Sequence, residues 1–203
     1  MESILLVTSS PRGEASHSTR VAAQLARNLA AADPSAQIVH RDLVRDPLEH
    51  IGPDFVGGIH LPEEHRTEEQ ARAVAPSDAV VEEVFAADAI VIATGFINFS
   101  ISSTLKAWLD HLLRAGITFR YTEDGPEGLI RGKKVYIVLA SGGVYSRGSA
   151  AQFDHAIPYL KTALSFVGLT DVEIVRVEGV GMGAEAEQFA LAQAENRIVA
   201  LSA

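Results

Sequence analysis

Short unbroken apolar runs alternate along this chain with stretches in which apolar residues recur every three or four positions. Ile4 to Thr8, Ala89 to Thr94 and Lys134 to Ala140 are the clearest runs. They are rich in branched side chains, as strands buried on both faces of a parallel sheet are. Gln37 to Leu43 and Val172 to Val177 are two further strands. Helical spacing follows the first run, where Val21, Leu25, Ala26 and Leu29 share one face behind a hydroxyl cap at Ser18 or Thr19. The same spacing predicts helices over Ala79 to Ala87, from about Ser103 to Arg114, over Ala156 to Val167 with Gly168 as the stop, and over Ala184 to Leu201. Asp46 to Glu69 holds three of the eight prolines and Gly57-Gly58, and reads as a surface excursion with a helix late in it. Thr118 to Lys133 contains Asp124-Gly125-Pro126-Glu127-Gly128, a turn-rich hairpin or loop. Strands alternating with helices, five of each, predict an α/β fold: a doubly wound parallel sheet with helices on both faces, in a single domain over residues 1–203.

Composition narrows the function. The 203 residues are 47% apolar and 21% charged, enough for one substantial core. A net charge of −9, without any run of Lys and Arg, argues against a nucleic-acid or anionic-membrane partner. There is no cysteine, which excludes disulfides, thiolate nucleophiles and iron–sulfur ligation. Ile4-Leu5-Leu6-Val7 follows Met1-Glu2-Ser3 without the basic start of a secretory leader. No stretch approaches the about 18 apolar residues of a membrane span. The expectation is a soluble, cytoplasmic protein.

In an open α/β sheet, ligands bind beyond the carboxyl ends of the strands where strand order reverses. The loops to read are Ser9 to Ser18, Gly95 to Ser102 and Ser141 to Gly148. The first has neither a dinucleotide G-x-G-x-x-G nor a nucleoside-triphosphate G-x-x-x-x-G-K-[ST]. It offers Ser9, Ser10, Ser16, Ser18 and Thr19 at a helix N-terminus, which suits a compact phosphomonoester, although Ser and Thr also serve there as ordinary caps. The second places Phe96, Ile97, Asn98 and Phe99 directly after a strand. They suit a flat, partly apolar ligand, or else the two phenylalanines are core and Asn98 a turn residue. In the third, Ser141-Gly142-Gly143 lets bare N–H groups approach a ligand, or is simply a turn. A flat ring carrying a phosphate tail satisfies all three loops, and FMN has that shape.

Other readings fit less well. A response-regulator receiver needs an aspartate where Ala93-Thr94 stands and an acidic pair near Thr8-Ser9. No G-x-S-x-G pentapeptide marks a serine hydrolase. His60 and His65 lack the H-E-x-x-H arrangement and read as solvated surface, His111 as a packed residue, and Asp110 with Arg114 as an exposed ion pair. No metal site is expected.

These residues carry a resemblance. Ser9-Ser10 with Ser16-x-Ser18, Asn98-Phe99-x-Ile101-Ser102, Leu105-Lys106 and the long block Arg114-Ala115-Gly116-Ile117-Thr118-Phe119-Arg120-Tyr121-Thr122-Glu123-x-Gly125-Pro126-Glu127-Gly128-Leu129 resemble the FMN-dependent NADH-azoreductases. These are flavodoxin-like enzymes also described as NADH:quinone oxidoreductases. The resemblance implies a five-stranded sheet of order 2-1-3-4-5 and a homodimer with shared pockets. It also implies reduction of quinones or azo compounds by NADH or NADPH in ping-pong two-electron transfer. Ser10 and Ser16-His17-Ser18 would hold the FMN phosphate, and Phe96, Ile97, Asn98 and Phe99 would line the isoalloxazine. Ser141, Gly142 and Gly143 would lie at its pyrimidine end, and Tyr121 would face the substrate at the mouth. Phe96-Ile97 stands where the family often has Met-Tyr, and Ala140-Ser141-Gly142-Gly143 where it often has Ser/Thr-Arg-Gly-Gly. These departures bear on substrate range and nicotinamide preference rather than on FMN. A flavodoxin-like electron carrier, or a flavin-binding module without its own substrate turnover, is the alternative, since it would use the same phosphate loop.

Overall fold

A computed structural model describes residues 3–31 and 33–202. Strands β1 (Ser3–Thr8), β2 (Gln37–Asp42), β3 (Ala89–Gly95), β6 (Lys134–Ser141) and β7 (Asp171–Glu178) form one parallel sheet in the order β2-β1-β3-β6-β7. With the parallel strands counted alone this is the order 2-1-3-4-5. The helices are α1 (His17–Ala30), α2 (Pro53–Ile59), α3 (Glu68–Ala86), α4 (Ser103–Leu112), α5 (Ala156–Phe166) and α6 (Ala184–Leu201).

The unbroken apolar strands follow from burial on both faces. Side chains alternate across a strand. Leu5, Val7, Ile90, Ile92, Ile137 and Leu139 therefore face one core with residues of α3, α4 and α5, while Ile4, Leu6, Val91, Ala93 and Val138 face another with α1 and α6. Trp108 of α4 is wholly enclosed in the first core. Burying such a side chain contributes about 1.5–3 kcal/mol.

Two regions depart from the sequence reading, and in a third one of its two alternatives is observed. Helix α3 starts at Glu68, well before Ala79. Thr67 caps it by accepting from Gln70 N at 3.3 Å, and Gln70 Oε1 accepts in return from Thr67 N at 3.0 Å. The helix then runs through Pro76, which lacks the N–H that would reach back one turn. The excursion also contains α2, begun by Pro53 and closed onto α3 where a Cβ on Gly58 would lie 2.8 Å from Val74 Cγ2. The turn-rich stretch is an antiparallel hairpin of β4 (Phe119–Thr122) and β5 (Gly125–Gly128). Finally, Asp110 and Arg114 are not an exposed pair. Asp110 binds Lys106, whereas Arg114 is 2% exposed and donates to Ser77 Oγ at 2.7 Å and Asp78 Oδ1 at 3.0 Å. Helix α4 ends at Leu112, so Arg114 lies past its last turn and points back toward α3.

Candidate functional site

The β1–α1 loop is tied to the sheet by Ser9, whose hydroxyl donates to Ala93 O at 3.0 Å. The chain turns through Gly13, at φ +52°, into α1. Ser16 occupies the cap position without capping, because its hydroxyl pairs with Ser18 Oγ at 2.9 Å. The N–H groups of His17, Ser18 and Thr19 consequently have no acceptor among the described residues. Free donors at the positive end of a 14-residue helix dipole form an anion site. Ser10, Ser16 and Ser18 are all buried around it.

His17 is buried in the same loop. Arg20 Nη2 lies 2.8 Å from its Nδ1 and can only donate, so Nδ1 accepts and the ring proton sits on Nε2. Nε2 lies 3.4 Å from Glu187 Oε1 of α6. Burial lowers the pKa of His17, and the Arg20 and Arg12 charges lower it further against the opposing pull of Glu187. The ring is held neutral beside the anion site.

After β3, Phe96 N donates to Ala140 O at 2.8 Å, and Ile97 and Ser100 exchange backbone bonds of 2.9 and 3.0 Å around a two-residue turn. Its central residues, Asn98 and Phe99, have φ of +46° and +71°, the left-handed pair of a type I′ turn. Asparagine tolerates that conformation, but a phenylalanine held there stores about 1–3 kcal/mol. Phe96 is half-buried against the core, while Phe99 is 49% exposed, its ring 5.6 Å from that of Phe153. After β6, Ser141 Oγ donates to Gly143 O at 2.8 Å, and the N–H groups of Gly142 and Gly143 find no acceptor among the described residues. The β7–α6 loop crosses here, with Gly181 N on Gly142 O at 3.0 Å and Gly179 N on Gly143 O at 3.1 Å.

These loops enclose a cleft of 580 Å³ at the carboxyl ends of β1, β3 and β6. Ser10, Ser16, His17, Phe96, Ile97, Ser141 and Gly142 all line it. Ser18 lies buried beneath the loop, and Gly143 flanks the wall against the Tyr145 ring. Asn98 lines a neighbouring cavity of 560 Å³ with Ile97, Lys106 and Tyr159, and Phe99 stands exposed beside the cleft. Tyr121 does not line the cleft of its own chain. It is 73% exposed on the β4–β5 hairpin, edge-on to Phe119. The sequence reading overlooked Arg12 and Arg20 at the rim, Val180 and Gly181 from the loop after β7, and Glu187 from the first turn of α6. Gly179-x-Gly181-x-Gly183 was the available signal for that loop. Hollows of 820 and 780 Å³ elsewhere are larger, but neither joins the ends of β1, β3 and β6. Among the described residues no cluster of three His, Asp or Glu is arranged to hold a metal ion, and no helix is long and apolar enough to cross a membrane.

A family profile described as the flavodoxin-like fold matches residues 2–201. An FMN-dependent NADH:quinone oxidoreductase of Mesorhizobium japonicum is 61% identical over 99% of this chain and 96% of its own. The chain belongs to the FMN-dependent NADH:quinone oxidoreductase family. Another family member, from Rhizobium etli, is 55% identical over the full length of both chains. Among solved structures, an azoreductase from Bacillus anthracis str. Sterne superposes with a TM-score of 0.91 at 31% identity, covering 100% of this chain and 99% of its own. An FMN-dependent NADH-azoreductase from Bacillus anthracis str. Ames Ancestor, solved in complex with FMN, has the same fold at 24% identity and a TM-score of 0.88. In this FMN-dependent NADH:quinone oxidoreductase family member, the cleft sits where strand order reverses between β1 and β3.

Proposed function

We propose that this chain is a single-domain FMN-dependent oxidoreductase that draws electrons from NADH and reduces quinones and azo compounds, as a cytoplasmic homodimer. The carrying observation is the convergence on one cleft of two sets of unpaired backbone donors, at the start of α1 and at Gly142-Gly143, with an apolar wall at Phe96 and Ile97 between them. A phosphate with a flat ring attached meets both needs at once.

The residues present fit FMN. The N–H groups of His17, Ser18 and Thr19, with the hydroxyls of Ser10, Ser16 and Ser18, would hold its phosphate. Phe96, Ile97, Asn98 and Phe99 would line its ring, and Ser141, Gly142 and Gly143 would bound its pyrimidine edge. FMN supplies the redox chemistry, a two-electron exchange with the nicotinamide and then with the acceptor. Donors from Gly142 and Gly143 favour negative charge at the edge they face, in the manner of an oxyanion hole. Protons for the acceptor come from water at the open mouth, so no side-chain acid is needed. Tyr121, exposed on the β4–β5 hairpin, would face the substrate at the mouth of a pocket shared across the dimer.

The test is the visible spectrum of the purified protein, followed by anaerobic addition of NADH, then NADPH, then a quinone. A flavin band that NADH bleaches and quinone restores is expected, together with parallel double-reciprocal lines, since one cleft serves both substrates. A colourless protein that takes up no FMN overturns the reading. A bound flavin that NADH leaves oxidised makes the protein an electron carrier. Light scattering decides the dimer.

A further inference from the structure

Arg176 takes no part in the cleft lining, yet two segments that pack against Phe96 and Phe99 converge on it. It projects from β7 on the same face as Ile174 and Glu178, as alternation along a strand requires. Its Nη2 donates to Asp154 Oδ2 at 2.6 Å and its Nη1 to Glu178 Oε1 at 3.1 Å. Both carboxylates are largely buried, with side chains 7% and 11% exposed. Enclosed carboxylates persist in the charged form when a partner and further hydrogen bonds satisfy them.

Each carboxylate uses its remaining capacity to hold backbone beside the aromatic wall. Glu178 Oε1 also accepts from Tyr145 N at 2.9 Å, and the Tyr145 ring lies 4.2 Å from that of Phe96. Asp154 Oδ1 accepts from Ala156 N and Ile157 N, both at 3.0 Å, and so fixes the start of α5. The intervening His155 N donates to Phe99 O at 3.1 Å, and the preceding Phe153 ring packs on Phe99. One guanidinium thus ties together the supports of Phe96 and Phe99, the two rings assigned to the flavin.

The geometry points to Arg176 as a positioning residue that sets the aromatic wall of the cleft through two arms, Glu178–Tyr145–Phe96 and Asp154–α5–Phe99. This rests on the FMN reading for its functional meaning. Removing the guanidinium leaves two enclosed carboxylates facing one another without a counter-charge, which drives both arms apart.

The test compares wild type with Arg176→Met and Arg176→Lys, each as full-length protein, for FMN and riboflavin affinity, flavin band position and amide exchange of the FMN-free form. In Arg176→Met the affinities for FMN and riboflavin both fall by about tenfold, in step because the phosphate end is untouched, and exchange at Tyr145 and Ile157 accelerates by about the same factor. The flavin band shifts, and Arg176→Lys, which keeps the charge but not the fork, falls between. Glu178→Gln, which weakens one arm, accelerates Tyr145 alone and decides the matter if the Met variant does not fold. Flavin affinities and band within about twofold of wild type, with only the melting temperature lowered, overturn the proposal. A wild-type protein that takes up no FMN overturns the functional reading instead. Arg176 is then judged on exchange alone, and equal rates at Tyr145 and Ile157 overturn it.

Discussion

Gly128 and Gly168 meet backbone to backbone: a Cβ on Gly128 would stand 2.1 Å from Gly168 N, and one on Gly168, at φ +98°, would stand 2.4 Å from Ile130 O. This contact seats the β4–β5 hairpin on the end of α5, supported by Ile130 N donating to Val167 O at 2.9 Å and by the Phe119 ring against Phe166. Gly128→Ala forces backbone to move and is expected to lower stability by about 3 kcal/mol, seen as a reduced urea midpoint with the m-value retained.

Removing hydroxyls at the anion site separates phosphate from ring binding. Ser10→Ala combined with Ser18→Ala is expected to weaken FMN by about 100-fold or more, at roughly 1.5–3 kcal/mol per hydrogen bond to a charged group. Riboflavin, which has no phosphate, should bind as it does to wild type. Equal losses for both ligands, measured by fluorescence quenching, would place the phosphate elsewhere.

His17 makes the FMN-free protein acid-sensitive. Its folded pKa lies below the ordinary imidazole value because of burial and then Arg20. The unfolded chain therefore takes up a proton that the folded chain resists. The stability is complete above the ordinary value of about 6.5 and is lost as pH falls from there toward the folded value. Urea unfolding at about pH 7 and about pH 5.5 should show a decline that His17→Gln removes.

Phe99 tests whether backbone strain is kept for binding. Phe99→Gly relieves a φ of +71° but deletes the ring packed on Phe153. Stability without FMN should stay within about 1 kcal/mol of wild type while FMN affinity falls by about tenfold. A variant that melts much earlier yet binds FMN normally would make Phe99 a structural residue.

Much of this architecture was legible because burial on both faces writes itself directly into sequence. The runs at Ile4, Ala89 and Lys134 have no solvated side to interrupt them, and the loops after them carry hydroxyls, aromatics and glycines rather than packing residues. What stayed hidden depends on partners distant in sequence. Pro76 lies inside α3, and a capping box six to nine residues earlier, together with packing on α2, carries the helix through it. Arg114 sits four residues after Asp110, as an ion pair would, but its partners Ser77 and Asp78 lie more than 30 positions away. The contribution of Gly181 and Glu187 to the cleft was missed for the same reason, since the strand before them is at the edge of the sheet.

The guanidiniums of Arg12 and Arg20 stand at one rim of a chain with 26 acidic and 17 basic groups. The net charge of −9 therefore opposes phosphate-bearing molecules at long range, while the two guanidiniums favour them locally at the rim. Nucleotide traffic is sorted by charge before shape is consulted, and salt, by screening both the repulsion and the attraction, blunts that sorting.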